Sequence, residues 1–264
     1  MTGMVNGLMH PPVMKLYPAY EDFYYETAGS YTFTVPRGAK RMDVTVIGGG
    51  AGGMAGGVSY GNIENAYPGG GAGGAAGNMQ HVKKASAKPG TQYAVTVGAG
   101  GAANGGNGGK STMGTMAGAS GGNAGTKGGN EPLSNTGTAN GGTGGNGGIG
   151  GNGGGPGRGQ YATLLGKSGA NGTDALDWEG WELAEWYVFR DETTGKRLGQ
   201  GGQGGYGYDL GSYGEQNARG LSAQQAAGTM YGSGGRGGDQ QKTGSIKTPE
   251  AGKDGLVAIR IYYK

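Results

Sequence analysis

The chain has 264 residues, a formal net charge of +3 and 70 glycines, more than a quarter of the total against an average usage of about 7%. Only 9 prolines accompany a repeat that reads Gly-Gly-X, which excludes collagen, while 16 tyrosines, 3 tryptophans and several β-branched runs exceed what a solvated disordered tail carries. The absence of cysteine excludes a disulfide framework or a thiolate metal site, and so small a net charge points to no class of partner.

In chain order, MTGMVNGLMHPPVMKLY lacks a basic region followed by an apolar run, so no standard secretion signal is expected. No apolar stretch approaches the roughly 20 residues of a membrane span, so no membrane insertion is expected either. The first predicted strand is DFYYET, Asp22 to Thr27. The turn Ala28-Gly29-Ser30 leads to YTFTV, Tyr31 to Val35, which Pro36 ends by removing a ladder donor. MDVTVI, Met42 to Ile47, runs straight into glycine, and so does QYAVTV, Gln92 to Val97, after the turn-like Lys88-Pro89-Gly90. LVAIRIYY, Leu256 to Tyr263, is the last predicted strand. These runs suit a small antiparallel sheet or sandwich in which the C-terminal strand returns to the early ones.

Between Val97 and Gly255 glycine tracts alternate with ordinary inserts. The tracts are Gly98 to Lys110, Gly118 to Gly129, 140 to 155, Gly199 to Gly207 and Gly232 to Gly238, with a shorter one at Gly69 to Gly74. The inserts are 59–67, 131–139, 160–198 and 208–231. The expected division is an N-terminal attachment segment (1–21), a β framework with a first glycine-rich insert (22–97), a bundle with variable loops (98–255) and the returning strand (256–264).

The stretch NGGTGGNGGIGGNGGG, Asn140 to Gly155, keeps its register through five triplets. A flexible linker needs no register, whereas polyproline II geometry has three residues per turn, about 3.1 Å of rise and outward-pointing, unpaired backbone groups. Every X then falls on one edge and the other two edges are bare glycine, close enough to neighbouring helices for lateral N–H···O=C bonds and minor Cα–H···O contacts. Read as one rod, the tract is about 46 Å long. Ordering so much glycine costs more entropy than ordering any other residue, so one tract alone is unstable and several must pack together. The expected fold is mainly β and irregular: a small, sandwich-like antiparallel β framework closing around a bundle of polyglycine II helices with long connecting loops.

Several stretches imitate chemical motifs. DVTVIGGGAGG places G-x-G-x-x-G at Gly48, Gly50 and Gly53 after a strand, as in a dinucleotide-binding turn. No amphipathic helix follows it and no ribose-binding acid stands at the expected distance. GNGGKST and the GKS at Gly166 to Ser168 lack the first P-loop glycine, Asn104 and Tyr161 standing there instead. His10 and His81 have no acids at ligand spacing, so no metal or other cofactor is expected. The acids Asp174, Asp177, Glu179, Glu182 and Glu185 read as a solvated loop, and Asn171-Gly172-Thr173 as an accidental glycosylation match. Gly234 to Gly238 resembles an RGG box, but only Arg158 and Arg236 have such surroundings, so no nucleic-acid partner is expected.

The segment 174–198 is the least glycine-like, with Trp178, Trp181, Trp186, Tyr187 and Phe189 close together. Trp181, Glu185 and Phe189 would share a helical face, and WYVFRDETTGKRL also reads as a hairpin. These aromatics serve either a local core or a recognition surface. Binding loops sit on stiff scaffolds, and tyrosine gives large contact area at low entropy cost. The candidate receptor-binding residues are therefore Tyr60, Tyr67, Tyr161, Trp178, Trp181, Trp186, Tyr187, Tyr206, Tyr208, Tyr213 and Tyr231.

YTFTVPRGAKRMDVTVIGGGAGG, PGGGAGGAAG, KPGTQYAVTVGAGG and the terminal GLVAIRIYYK, taken in this order from about Asp22 to Lys264, resemble the glycine-rich domains of bacteriophage tail proteins. The tracts and variable loops further resemble, in architecture, the distal adhesins of T-even-type long tail fibres, whose polyglycine II loops touch the bacterial receptor. The N-terminus departs from the fibre-attachment domain of those adhesins. By analogy Met4, Met9, Met14 and Leu16 would dock on a tail or fibre protein of the same virion. The resemblance implies a non-enzymatic adhesin at a phage tail or fibre tip, recognising an outer-membrane protein or glycan of a bacterial cell. The alternatives are a structural tail-tip cap or connector and an ice-binding protein; against the latter, Asn, Thr, Asn, Ile and Asn at successive X positions and long charged inserts interrupt any flat face.

Overall fold

The computed structural model of the protein describes residues 19–58, 68–130, 138–147, 157–158, 231–238 and 248–264. None of these residues is helical, and ten strands account for their regular structure. The early strands are β1 (Tyr20–Tyr25), β2 (Gly29–Thr34), β3 (Arg41–Ile47), β4 (Met79–Ser86) and β5 (Gln92–Val97). The later ones are β6 (Ser111–Met113), β7 (Ala117–Ala119), β8 (Thr138–Ala139), β9 (Gly157–Arg158) and β10 (Leu256–Tyr262). The five strands expected from sequence are present with ends shifted by at most two residues.

Two antiparallel four-stranded sheets form, in the orders β1-β10-β3-β4 and β2-β5-β6-β7. The C-terminal strand returns between β1 and β3, Ile259 standing opposite Phe23 and Val44. Alternation then sorts the side chains. Val44 and Val46 of β3 and Val257, Ile259 and Ile261 of β10 join Phe33, Val95, Val97 and Met113 of the second sheet in one buried cluster. Phe23 meets Phe33 edge-on, ring centroids 5.1 Å apart, at the margin of that cluster.

Strand β4 was not legible in the sequence. MQHVKKAS has weak alternation, and its pairing with β3 shifts register between Met42 and Val44. There Lys84 turns to φ 55, and its N–H donates to Asp43 Oδ1 at 2.7 Å instead of to the ladder. The short β6 lies between the tracts Gly98 to Lys110 and Gly118 to Gly129, and β7 overlaps the start of the second; buried Ser111 of β6 accepts the Gly98 N–H on its Oγ at 2.8 Å.

Beyond the strands the glycine tracts run side by side, and their backbone hydrogen bonds repeat every third residue. The N–H groups of Gly48, Ala51, Met54 and Gly57 donate to the carbonyls of Asn78, Ala75, Ala72 and Gly69. Gly49 and Gly52 donate to Gly109 and Gly106, while Gly50 and Gly53 donate to Lys253 and Glu250. Carbonyls on the same tract accept from further neighbours: Gly50 from Gly101, Ala51 from Gly235, and Gly49 from Gly122. The tract 48–57 therefore contacts 69–78, both legs of the 98–110 hairpin, 120–130, 232–238 and 249–255. Its neighbour repeats the spacing, Gly69, Ala72, Ala75 and Asn78 donating to Gly129, Thr126, Asn123 and Ser120.

These bonds require close approach. A Cβ added at Gly48, Gly50 or Gly53 would stand 2.1 Å from the Ser120 oxygen, 1.9 Å from the Ser233 oxygen and 1.9 Å from the Arg236 oxygen. The G-x-G-x-x-G pattern is thus explained by three backbones pressing on one tract. Asp254 joins tracts to strands: its carboxylate accepts from the N–H groups of Ala28 and Gly100, and its carbonyl from that of Gly232.

One expectation fails. Ala139 pairs with Gly157, and Thr138 with Arg158, in the two-stranded sheet β8-β9. Residues 148–156 lie outside the described residues, but this pairing sets the two flanks of NGGTGGNGGIGGNGGG side by side instead of about 46 Å apart, the separation expected of one straight rod.

Candidate functional site

The tracts give the molecule two ends. At one end 48, 78, 98, 120, 232 and 255 adjoin strands β3, β4, β5, β7 and β10. At the other, Gly57 bonds to Gly69, Gly69 to Gly129, Gly129 to Asn140 and Gly71 to Gly238, while Gly238 lies against Pro249. The chain leaves the described structure at 58, 130, 158 and 238 and re-enters it at 68, 138, 157 and 248 at this outer end, whereas it leaves at 147, beside Ala76 and Gly122, and re-enters at 231 at the sheet end. Val58 N–H donates to the Asn130 side chain at 3.3 Å, tying two of these roots together. Three inserts, 59–67, 131–137 and 239–247, thus start and finish at one pole, and 159–230 starts there. The insert 239–247 has no aromatic residue and did not register as a loop in the sequence, because charge and glycine alone distinguish it.

Tyr231 is the candidate receptor residue that the structure describes. It is half-buried at the sheet end, at the root of the tract 232–238, and its hydroxyl donates to Glu26 Oε1. It thus returns the segment 159–230 to the pole opposite the insert roots. Tyr60, Tyr67, Tyr161, Trp178, Trp181, Trp186, Tyr187, Tyr206, Tyr208 and Tyr213 lie outside the described residues, as do Met4, Met9, Met14 and Leu16. The described chain begins at Ala19, beside Tyr263, whose N–H donates to the Ala19 carbonyl, at the pole opposite the inserts. Arg236, the arginine of the RGG-like stretch, is only 3% exposed.

The outward face of the first sheet carries a row of charged residues, Asp22, Arg41, Asp43 and Arg260. Arg260, 6% exposed, donates from Nε to Asp22 Oδ1 at 2.7 Å and from Nη2 to Asp22 Oδ2 at 2.8 Å. Its guanidinium lies 4.3 Å over the Tyr20 ring, and that of Arg41 4.0 Å over the Tyr262 ring. Tyr24 donates to Asp22 at 3.0 Å and Tyr262 to Asp43 at 2.9 Å. Burial, reinforced by Asp22, pushes the Tyr24 phenol well above its ordinary range, and burial with Asp43 raises that of Tyr262. The hydrogen bonds to Asp22 likewise hold Arg260 in its charged form. Asp22, Arg260 and the Tyr24 phenol, and Asp43 with the Tyr262 phenol, are matched within this row, which braces β1, β10 and β3. No cluster of three or more metal-ligating side chains occurs among the described residues.

The chain matches the glycine-rich domain over residues 26–262 and belongs to that family. No curated protein matches it significantly.

Proposed function

We propose that this chain is a non-enzymatic adhesin at the tip of a bacteriophage tail or tail fibre. In this reading, inserts presented on a polyglycine II scaffold bind an outer-membrane protein or glycan of a bacterial cell. The single observation that carries it is the gathering of the insert roots, 58/68, 130/138, 158 and 238/248, at one pole of the tract array. The chain's entry at Ala19 lies at the other pole. An adhesin needs this polarity, with attachment at one end and variable recognition loops at the other, on a scaffold stiff enough to hold the loops together.

The scaffold reading rests on the hydrogen bonds. Three successive residues donating to three different neighbours, with the pattern recurring every third residue, is what three residues per turn produces. At about 3.1 Å per residue, a tract such as 48–57 spans roughly 28 Å. The two sheets sharing one core read as the sandwich-like framework that this bundle extends. The aromatic residues Trp178, Trp181, Trp186 and Tyr187, with Tyr60, Tyr67, Tyr161, Tyr206, Tyr208 and Tyr213, supply contact area on the inserts. The segment 1–21, with Met4, Met9, Met14 and Leu16, attaches to a tail or fibre protein.

The test is cell binding. The purified protein should label susceptible bacteria and block phage adsorption, and exchange of residues 174–198 should alter the range of bacteria labelled. A protein that labels no cells and neither blocks nor alters infection sinks the proposal. Association with tail proteins in that experiment would favour a connector instead, and thermal hysteresis in freezing buffer an ice-binding protein.

A further inference from the structure

Each sheet has two edge strands, β1 and β4 in the first and β2 and β7 in the second. An open edge is a template for another strand, and proteins block edges with charge, proline, bulges or short length. Three of these four are blocked. Strand β4 carries Lys83 and Lys84 at a register break with a positive φ at Lys84. Strand β7 has only 3 residues. Strand β1 carries Glu21 and Asp22. Strand β2, GSYTFT, has no charge, no proline and no break in its pairing with β5.

The direction of its backbone groups follows from its neighbours. The Gly114 N–H donates to the Ala94 carbonyl, so Ala94 faces β6 and Tyr93, Val95 and Val97 face β2. Their partners Phe33, Tyr31 and Gly29 then face β5, as does Val35, whose N–H donates to Thr91. By alternation the N–H and C=O groups of Ser30, Thr32 and Thr34 point away from the sheet. All three residues are exposed, so this row of backbone groups is open to pairing with another strand.

We infer that β2 is a self-pairing edge that joins two copies of this chain. The copies lie antiparallel across a twofold axis at Thr32, so that Ser30 of each meets Thr34 of the other. Charge sets this orientation. Glu26 precedes the strand and the exposed Arg37 follows it, so antiparallel pairing brings each acid towards the other copy's base. Parallel pairing would set like against like. The same contact covers Tyr31, which is 36% exposed beside Tyr25 at 5.1 Å between ring centroids. One strand pair buries less than the roughly 1,200–2,000 Å² of a stable interface, so the dimer is weak and depends on concentration.

Sedimentation equilibrium of the full chain from about 10 μM to 1 mM tests this, with self-association expected within that range. Thr32→Pro removes an outward N–H while leaving every bond to β5, since proline is tolerated at such edge positions. It should remain monomeric throughout with an unchanged melting temperature. Arg37→Glu should weaken dimerisation roughly tenfold, more steeply at low salt. A wild-type chain that is monomeric across the range overturns the inference, and so does a Thr32→Pro chain that folds and still dimerises. A trimer would overturn the twofold arrangement. None of these outcomes depends on cell binding, so this inference and the adhesin reading fail separately.

Discussion

The sheets and the glycine tracts are two different kinds of interior in one chain. Between the sheets, Val44, Ile259, Val95 and Phe33 exclude water with side chains, and stability accrues at roughly 25 cal/mol per Å² of apolar surface buried. Among the described tract residues, the side chains with no exposure are the methyl groups of Ala51, Ala72, Ala75 and Ala76. There is little area to bury, and lateral N–H···O=C bonds replace it. The two interiors therefore fail in opposite ways. A side-chain core is damaged by removing atoms, and a backbone core by adding them.

The largest expected effect comes from adding atoms. Gly53→Val places a Cβ 1.9 Å from the Arg236 oxygen, at a tract contacted on every side. The loss should exceed about 4 kcal/mol, the range of severe core damage, read as the fall in the midpoint of denaturant unfolding. Removing atoms comes next: Ile259→Ala in the sheet core should cost about 2–5 kcal/mol by the same measurement. A Gly53→Val chain as stable as Ile259→Ala would blur the distinction between the interiors.

The third prediction is an alkaline limit residing in the sheets. The Tyr24, Tyr25 and Tyr262 phenols are raised above the ordinary 10.0. Below pH 10 they are protonated in both states and the stabilisation is fully present. As pH rises past 10 the unfolded chain ionises first, so stability falls through the folded values. Melting temperature between pH 8 and 11.5 should drop beyond about 10, and Tyr24→Phe should flatten the drop. The smallest effect separates strain from crowding: Gly90, at φ 81, has nothing within 4 Å of an added Cβ. Gly90→Ala should therefore cost only about 1 kcal/mol of backbone strain, measurable as a small shift in melting temperature.

The sequence was most legible where side chains alternate. YTFTV, MDVTVI, QYAVTV and LVAIRIYY carry β-branched residues on one face, and all four became strands. It was silent for MQHVKKAS, whose strand is held by its neighbour and by Asp43 instead of by its own pattern. The glycine tracts were legible as segments that bond laterally through their backbones, but not in their course. Gly-Gly-X continues unchanged from Asn140 to Gly155 although the chain is back beside Ala139 by Gly157, because a repeat carries no mark of direction. The tract 249–255 was missed for the converse reason. It has only Gly252 and Gly255, and at the rim of the array Glu250 and Lys253 can point to water. The gathering of insert roots depends on which tract lies beside which, and no local pattern encodes that.

The spacing of the lateral bonds has a consequence for how such a chain can change length. Lengthening a tract by three residues adds one repeat and leaves every other residue facing the neighbour it faced before. Adding one or two rotates all that follows, delivering side chains into positions where a Cβ has no room. Tracts of this kind should accept insertions and deletions in whole triplets only. The inserts beyond them escape that reading frame, since their roots are fixed and nothing downstream must stay in phase with their length.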